Sequence, residues 1–181
     1  MRHATYFILL LLVVLVLPAC TSPQSVTPSK PDPVVLEIIT HASGVVYPKQ
    51  GDLLDMRLYE SGRFEYDDYP DQPPPDTLPS QVTVTKKEAK LNPEDVKELI
   101  GLAEQPDFLS AKDNYPGLHP HTDDEWITTI KFMYQGREKK IVVVNLWDIR
   151  DFPNDRSKYP PSMVKLFERA LELKAKAIRK S

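Results

Sequence analysis

The chain has 181 residues, 41% hydrophobic and 27% charged, which suits one soluble folded unit and is too short for two comfortable domains. Its 23 Lys and Arg stand against 26 Asp and Glu, a formal net charge of −3 that argues against a nucleic acid partner. The one cysteine, Cys20, permits no intrachain disulfide, so packing alone must hold the fold.

Arg2 and the free amine form a short positive region, and Tyr6 through Leu17 form an unbroken apolar run. That run has the length of a secretory signal core, about 7–15 residues, whereas a spanning helix needs about 20. Leu17-Pro18-Ala19-Cys20 then resembles the lipobox of bacterial lipoproteins, in which a peptidase cuts before a cysteine that already carries a diacylglyceryl thioether. The resemblance implies a leader over residues 1–19, lipid attachment at Cys20, and an extracytoplasmic protein anchored to a bacterial membrane. Thr21 rather than an aspartate follows the cysteine, which by resemblance to Gram-negative sorting favours the outer membrane in such an organism. One acyl chain binds membranes only marginally, and a diacylated cysteine supplies the second chain that stable anchoring needs. Cleavage removes Arg2 and leaves 22 basic against 26 acidic side chains.

Residues 20–33 hold the lipidated cysteine and a tether of Ser, Thr, Gln, Lys and four prolines, too polar to fold. At ~3.1 Å per residue its thirteen residues after Cys20 reach up to roughly 40 Å from a bilayer. A single domain is expected over 34–181. Val34 to Thr40 is β-branched and predicts a strand. Leu54, Met56 and Leu58 alternate with polar residues, as do Phe64 and Tyr66, so a hairpin is predicted with Gly62 in its turn. Five prolines between Pro70 and Pro79 make a loop, and Gln81 to Thr85 predicts a short strand.

Asn92 as N-cap, Pro93 at the first helical position and Glu94 and Asp95 in the first turn start a helix that buries Val96, Leu99, Ile100 and Ala103 and stops at Pro106. Trp126 to Tyr134 and Lys140 to Trp147 flank Gln135-Gly136-Arg137 as a second hairpin. Ile141 to Val144 is apolar on both faces and is expected to be central in its sheet. A last helix begins near Pro161 with Met163, Leu166, Phe167, Ala170, Leu171 and Ile178 along one stripe. Together these predict an α+β domain: an antiparallel sheet of two hairpins plus flanking strands, packed on one face by two amphipathic helices.

Tyr59 to Tyr66, Leu91 to Leu99, and Asp107-Phe108-Leu109 with Tyr115 and Asp123 resemble a family of small exported bacterial domains of unknown function. Its members often carry a cysteine pair after the first strand, where this chain has His41-Ala42-Ser43-Gly44. The resemblance implies a fold and no reaction.

His119-Pro120-His121-Thr122-Asp123-Asp124-Glu125 offers the sharpest chemistry. In an extended segment His119, His121, Asp123 and Glu125 share a face, and two imidazoles with a carboxylate suit zinc or iron(II). The string also looks like the H-x-H-x-D-H of metallo-β-lactamase folds, with Asp124 in place of the last histidine. The plainer reading is a solvated loop, and no metal or other cofactor is assigned. Glu65 to Asp71 lacks the oxygen spacing of a calcium loop and reads as a solvated strand end. Lys174, Lys176, Arg179 and Lys180 suit the last helix's negative end, with lipid headgroups as the alternative. Trp126, Trp147, Tyr159 and Phe167 read as packing. Ser43 near His41 lacks a nucleophile elbow, so no catalytic residue is assigned. The expectation is a membrane-anchored envelope lipoprotein acting as a non-enzymatic binding module, with the membrane and an envelope protein as partners. The alternatives are a metal-dependent enzyme using His119, His121 and Asp123, and a structural envelope component.

Overall fold

A computed structural model describes residues 31–44, 53–68, 84–119, 124–150 and 152–180. All of these but Pro31 belong to one compact unit, which starts at Asp32. Asp32 accepts hydrogen bonds from the Ser61 N–H at 3.0 Å and the Ser61 hydroxyl at 2.7 Å. The Pro33 carbonyl accepts from the Glu60 N–H at 2.9 Å, so the chain is pinned to the first hairpin turn before any strand begins.

The strands are β1 (Val34–Gly44), β2 (Leu53–Tyr59), β3 (Arg63–Asp68), β4 (Thr85–Lys90), β5 (Asn114–Tyr115), β6 (Asp124–Tyr134) and β7 (Arg137–Val144). The helices are α1 (Pro93–Ala103), a single turn α2 (Pro106–Leu109) and α3 (Pro161–Ile178), with 3-10 turns at Leu146–Arg150 and Pro153–Lys158. One seven-stranded sheet runs β4-β3-β2-β1-β6-β7-β5, antiparallel except where β5 pairs with β7. The fold is α+β, as the hydrophobic patterning implies.

The hairpin turns follow from backbone chemistry. Gly62 has φ +84°, and a Cβ there would meet Val96 Cγ2 at 3.2 Å, so the β2–β3 turn and the first turn of α1 close together only on a glycine. Gln135 and Gly136 have φ of 49° and 77°, the doubly positive pair that lets a two-residue loop match the twist of β6 and β7.

Alternation then sorts the side chains. Leu36, Ile38, Met56, Leu58, Phe64, Tyr66, Ile130, Phe132, Ile141 and Val143 are at most 1% exposed and form the core with the helices. Helix α1 begins as expected, with the Asn92 Oδ1 accepting from the Asp95 N–H at 2.8 Å, and it buries Leu99 and Ala103 while Val96 and Ile100 are half-buried. Helix α3 lacks a capping side chain of its own, and Asp107 on α2 accepts from the Ser162 N–H at 3.0 Å instead. Arg169 on α3 binds Asp95 at 2.7 Å and Glu98 at 2.8 Å, clamping α3 to α1.

Two local expectations change, and most of the strand expected at Gln81–Thr85 lies outside the described residues. The described strand here is β4, an edge strand, where Lys86, Lys87 and Lys90 guard against foreign pairing and hide the hydrophobic signal. Strand β7 is next to the edge, sheltered by the two residues of β5, and Val142 and Val144 are accordingly half-buried. Trp147 leaves the strand for a 3-10 turn, because Asn145 adopts φ 56° and its side chain accepts from the Trp126 N–H at 2.8 Å, closing the β6–β7 ladder.

Candidate functional site

Cys20, His121 and Asp123 lie outside the described residues. His119 is described, and it is engaged: its Nε2 lies 2.5 Å from Asp155 Oδ2 and its ring stacks on Phe152 with centroids 4.1 Å apart. The pair joins the loop after β5 to the 3-10 turn at Pro153–Lys158. Among the described residues no three His, Cys, Asp or Glu side chains converge as a metal cluster, and no helix is long and apolar enough to cross a membrane. Trp147 packs edge-on against Phe167 at 5.3 Å and Tyr159 against Tyr115 at 5.5 Å, the packing roles expected of them.

The helices occupy one face of the sheet, and the other carries a row of charge. The strand pairings Glu65↔Glu88, Arg57↔Glu65, Glu37↔Arg57, Glu37↔Lys131 and Lys131↔Lys140 set six residues side by side on six consecutive strands. From β4 to β7 the row reads Glu88, Glu65, Arg57, Glu37, Lys131, Lys140. At its centre the Glu37 carboxylate accepts from the Arg57 Nε and the Lys131 Nζ, each at 2.8 Å. Partial burial alone would raise its carboxyl, but those two cations outweigh it and hold the group below the usual range. Arg57 also reaches Glu65 at 3.3 Å, and Arg63 bridges Glu65 to Glu88. The Arg63 guanidinium in turn lies 3.4 Å from the Tyr59 ring centroid.

The covered face holds a different polar group. Between Ile38↔Met56 and Ile39↔Leu54 the register slips by one, leaving Asp55 as an extra residue on β2. The bulge delivers the Asp55 carboxylate to α3, where Lys174 Nζ lies at 3.3 Å and the Thr40 hydroxyl donates at 2.5 Å. Thr128 joins through Thr40 at 3.3 Å. Burial raises the Asp55 carboxyl above its usual value, Lys174 and Thr40 opposing and the negative charge of Asp67 adding to the rise. Asp67 is itself buried, accepting from the Leu54 N–H at 2.8 Å through one oxygen while the other has no partner among the described residues.

Two readings of the sequence change accordingly. Lys174 turns inward to Asp55, away from the role at the helix end given to it with Lys176, Arg179 and Lys180. Asp67 is a buried strand residue, whereas the segment containing it reads as solvated. The charge row has no signature in the sequence as a row, although its members carry one: Glu37, Arg57 and Lys131 each sit between two apolar residues, the mark of a strand position facing away from a core.

In comparison with known proteins, the chain matches no family model and no curated protein.

Proposed function

We propose that the protein is a lipid-anchored bacterial envelope protein whose α+β domain is a non-enzymatic binding module, using the open face of the sheet as its contact surface. The observation that carries the anchor is Cys20, placed where a signal-length apolar run ends and a proline-rich polar segment begins. The tether supports a domain held off the bilayer, free to meet an envelope protein. The open face supports binding rather than catalysis: its ion-paired centre holds the side chains in place, and the row is negative toward β4 and positive toward β7, which confers partner choice and orientation. In a Gram-negative source Thr21 favours the outer membrane.

Metabolic acyl labelling of the full chain tests the anchor. Wild-type protein is expected to label and Cys20→Ser to remain an unlabelled, uncut precursor. Normal labelling and processing of Cys20→Ser would overturn the reading.

A further inference from the structure

The charge row has an internal symmetry that selects a partner. Reversed end for end, Glu88, Glu65, Arg57, Glu37, Lys131, Lys140 becomes its own complement: Glu88 meets Lys140, Glu65 meets Lys131, Arg57 meets Glu37, and the remaining three pairs repeat these. All six positions pair with opposite sign, the centre of inversion lying between β1 and β2. The next row toward the β6–β7 turn behaves alike at its ends, where Lys90 on β4 is mirrored by Glu138 on β7. Exposed Met133 is mirrored there by Arg63, whose flat guanidinium lies on Tyr59. On the other side half-buried Ile39, paired across β1 and β2 with buried Leu54, falls beside the inversion centre and supplies an apolar contact.

We propose that this open face binds a second copy of the same chain in an isologous dimer, with the two-fold axis parallel to the strands and running between β1 and β2. The proposal rests on the reading of the open face as a contact surface and names its occupant. Two sheets packed face to face in this way stack about 10 Å apart. Glu37 and Arg57 enter the interface already paired in their own chain, so no charge is buried alone. Six strands at ~4.8 Å spacing and about six residues at ~3.4 Å give a face on the order of 500 Å² per copy, near the lower limit for a specific interface. Such a dimer is weak in dilute solution and salt-sensitive, and it forms where anchoring in a membrane plane raises the effective concentration.

The test uses the full chain in its membrane. A zero-length carboxylate-to-amine cross-linker is expected to join Glu88 to Lys140. Within one chain these residues are separated by five strand spacings, roughly 24 Å, so the link can form only between copies. Two differently tagged copies are expected to co-isolate after amine cross-linking. Glu88→Lys or Lys140→Glu alone is expected to cut co-isolation roughly tenfold, since each reversal makes two symmetry-related contacts repulsive. Mixing a Glu88→Lys copy with a Lys140→Glu copy is expected to restore it, because both contacts regain opposite signs. Absence of the Glu88–Lys140 link, or co-isolation indifferent to the reversals, would overturn the proposal. Cross-links from this face to a different envelope protein alone would also overturn it, while leaving the binding-module reading standing.

Discussion

Asp55 and Glu37 belong to neighbouring strands and point to opposite faces of the sheet, and their carboxyl groups shift in opposite directions. Asp55 lies under α3 with one cation at 3.3 Å, and burial wins: its carboxyl is raised. Glu37 is also shielded, 11% exposed in its side chain, but two cations at 2.7–2.8 Å win over burial and its carboxyl is lowered. The difference teaches what each face is built for. The covered face encloses the Asp55–Lys174 pair at a bulge within an apolar core, whereas the open face is organised around charge.

The sharpest way to break this comparison is to truncate adjacent residues of β6. Phe132 is fully buried against Phe108 and Tyr134, so Phe132→Ala is expected to lower unfolding free energy by about 3–5 kcal/mol in urea titration. Lys131→Ala, one position away on the open face, is expected to cost no more than about 1 kcal/mol. Equal losses would mean that the two faces are not distinct.

A second test separates a buried ion pair from an exposed one. Lys174→Met leaves the Asp55 charge enclosed without its counter-ion and is expected to cost roughly 3 kcal/mol. Adding Asp55→Asn should recover a substantial part, because the uncompensated charge is then gone. A double variant no more stable than Lys174→Met would show that the lysine matters only for packing.

Stability measured against pH distinguishes the two carboxylates by sign. Because the Asp55 carboxyl is raised in the fold, the native state holds the proton longer than the unfolded chain, and the Asp55 contribution declines as pH rises from about 4 through its folded value. Because the Glu37 carboxyl is lowered, its contribution is complete above about pH 4.5 and is lost as pH falls through its folded value. Subtracting the Asp55→Asn curve from wild type should therefore leave a falling slope with pH, and subtracting Glu37→Gln a rising one. Slopes of the same sign would contradict the assignment. The smallest effect is expected at His119→Ala, which gives up Asp155 and Phe152 at a half-exposed site for less than about 1 kcal/mol by thermal melting.

The elements best marked in the sequence are those whose signals are local. Asn92-Pro93-Glu94-Asp95 names its helix start, Gly62 and Gln135-Gly136 name their turns, and the 3.6-residue spacing of Met163, Leu166, Phe167 and Ala170 names the buried stripe of α3. Strand β4 is poorly marked because its edge position selects lysine over the β-branched residues that announce a strand. The candidate site divides in the same way. That Glu37, Arg57 and Lys131 face away from the core is readable from their apolar neighbours. Their alignment in one row depends on pairing between residues as far apart as Glu37 and Lys131, and on register slips that no local pattern encodes. Asp55 is hidden for a related reason, since strict alternation places it on the open face and only the bulge turns it inward.

The most direct measurement of the central claim, that the open face is where this protein meets its partner, is chemical footprinting of the full chain. Lysine and carboxylate reactivity would be compared in intact envelopes and after detergent extraction and dilution. Lys131, Lys140 and Glu88 are expected to react less in the envelope and to recover on dilution, while Lys97 on α1 and Lys165 on α3, both exposed on the helical side, react equally in both states. Equal reactivity of the charge row in the two states, or protection confined to Lys97 and Lys165, would contradict the account.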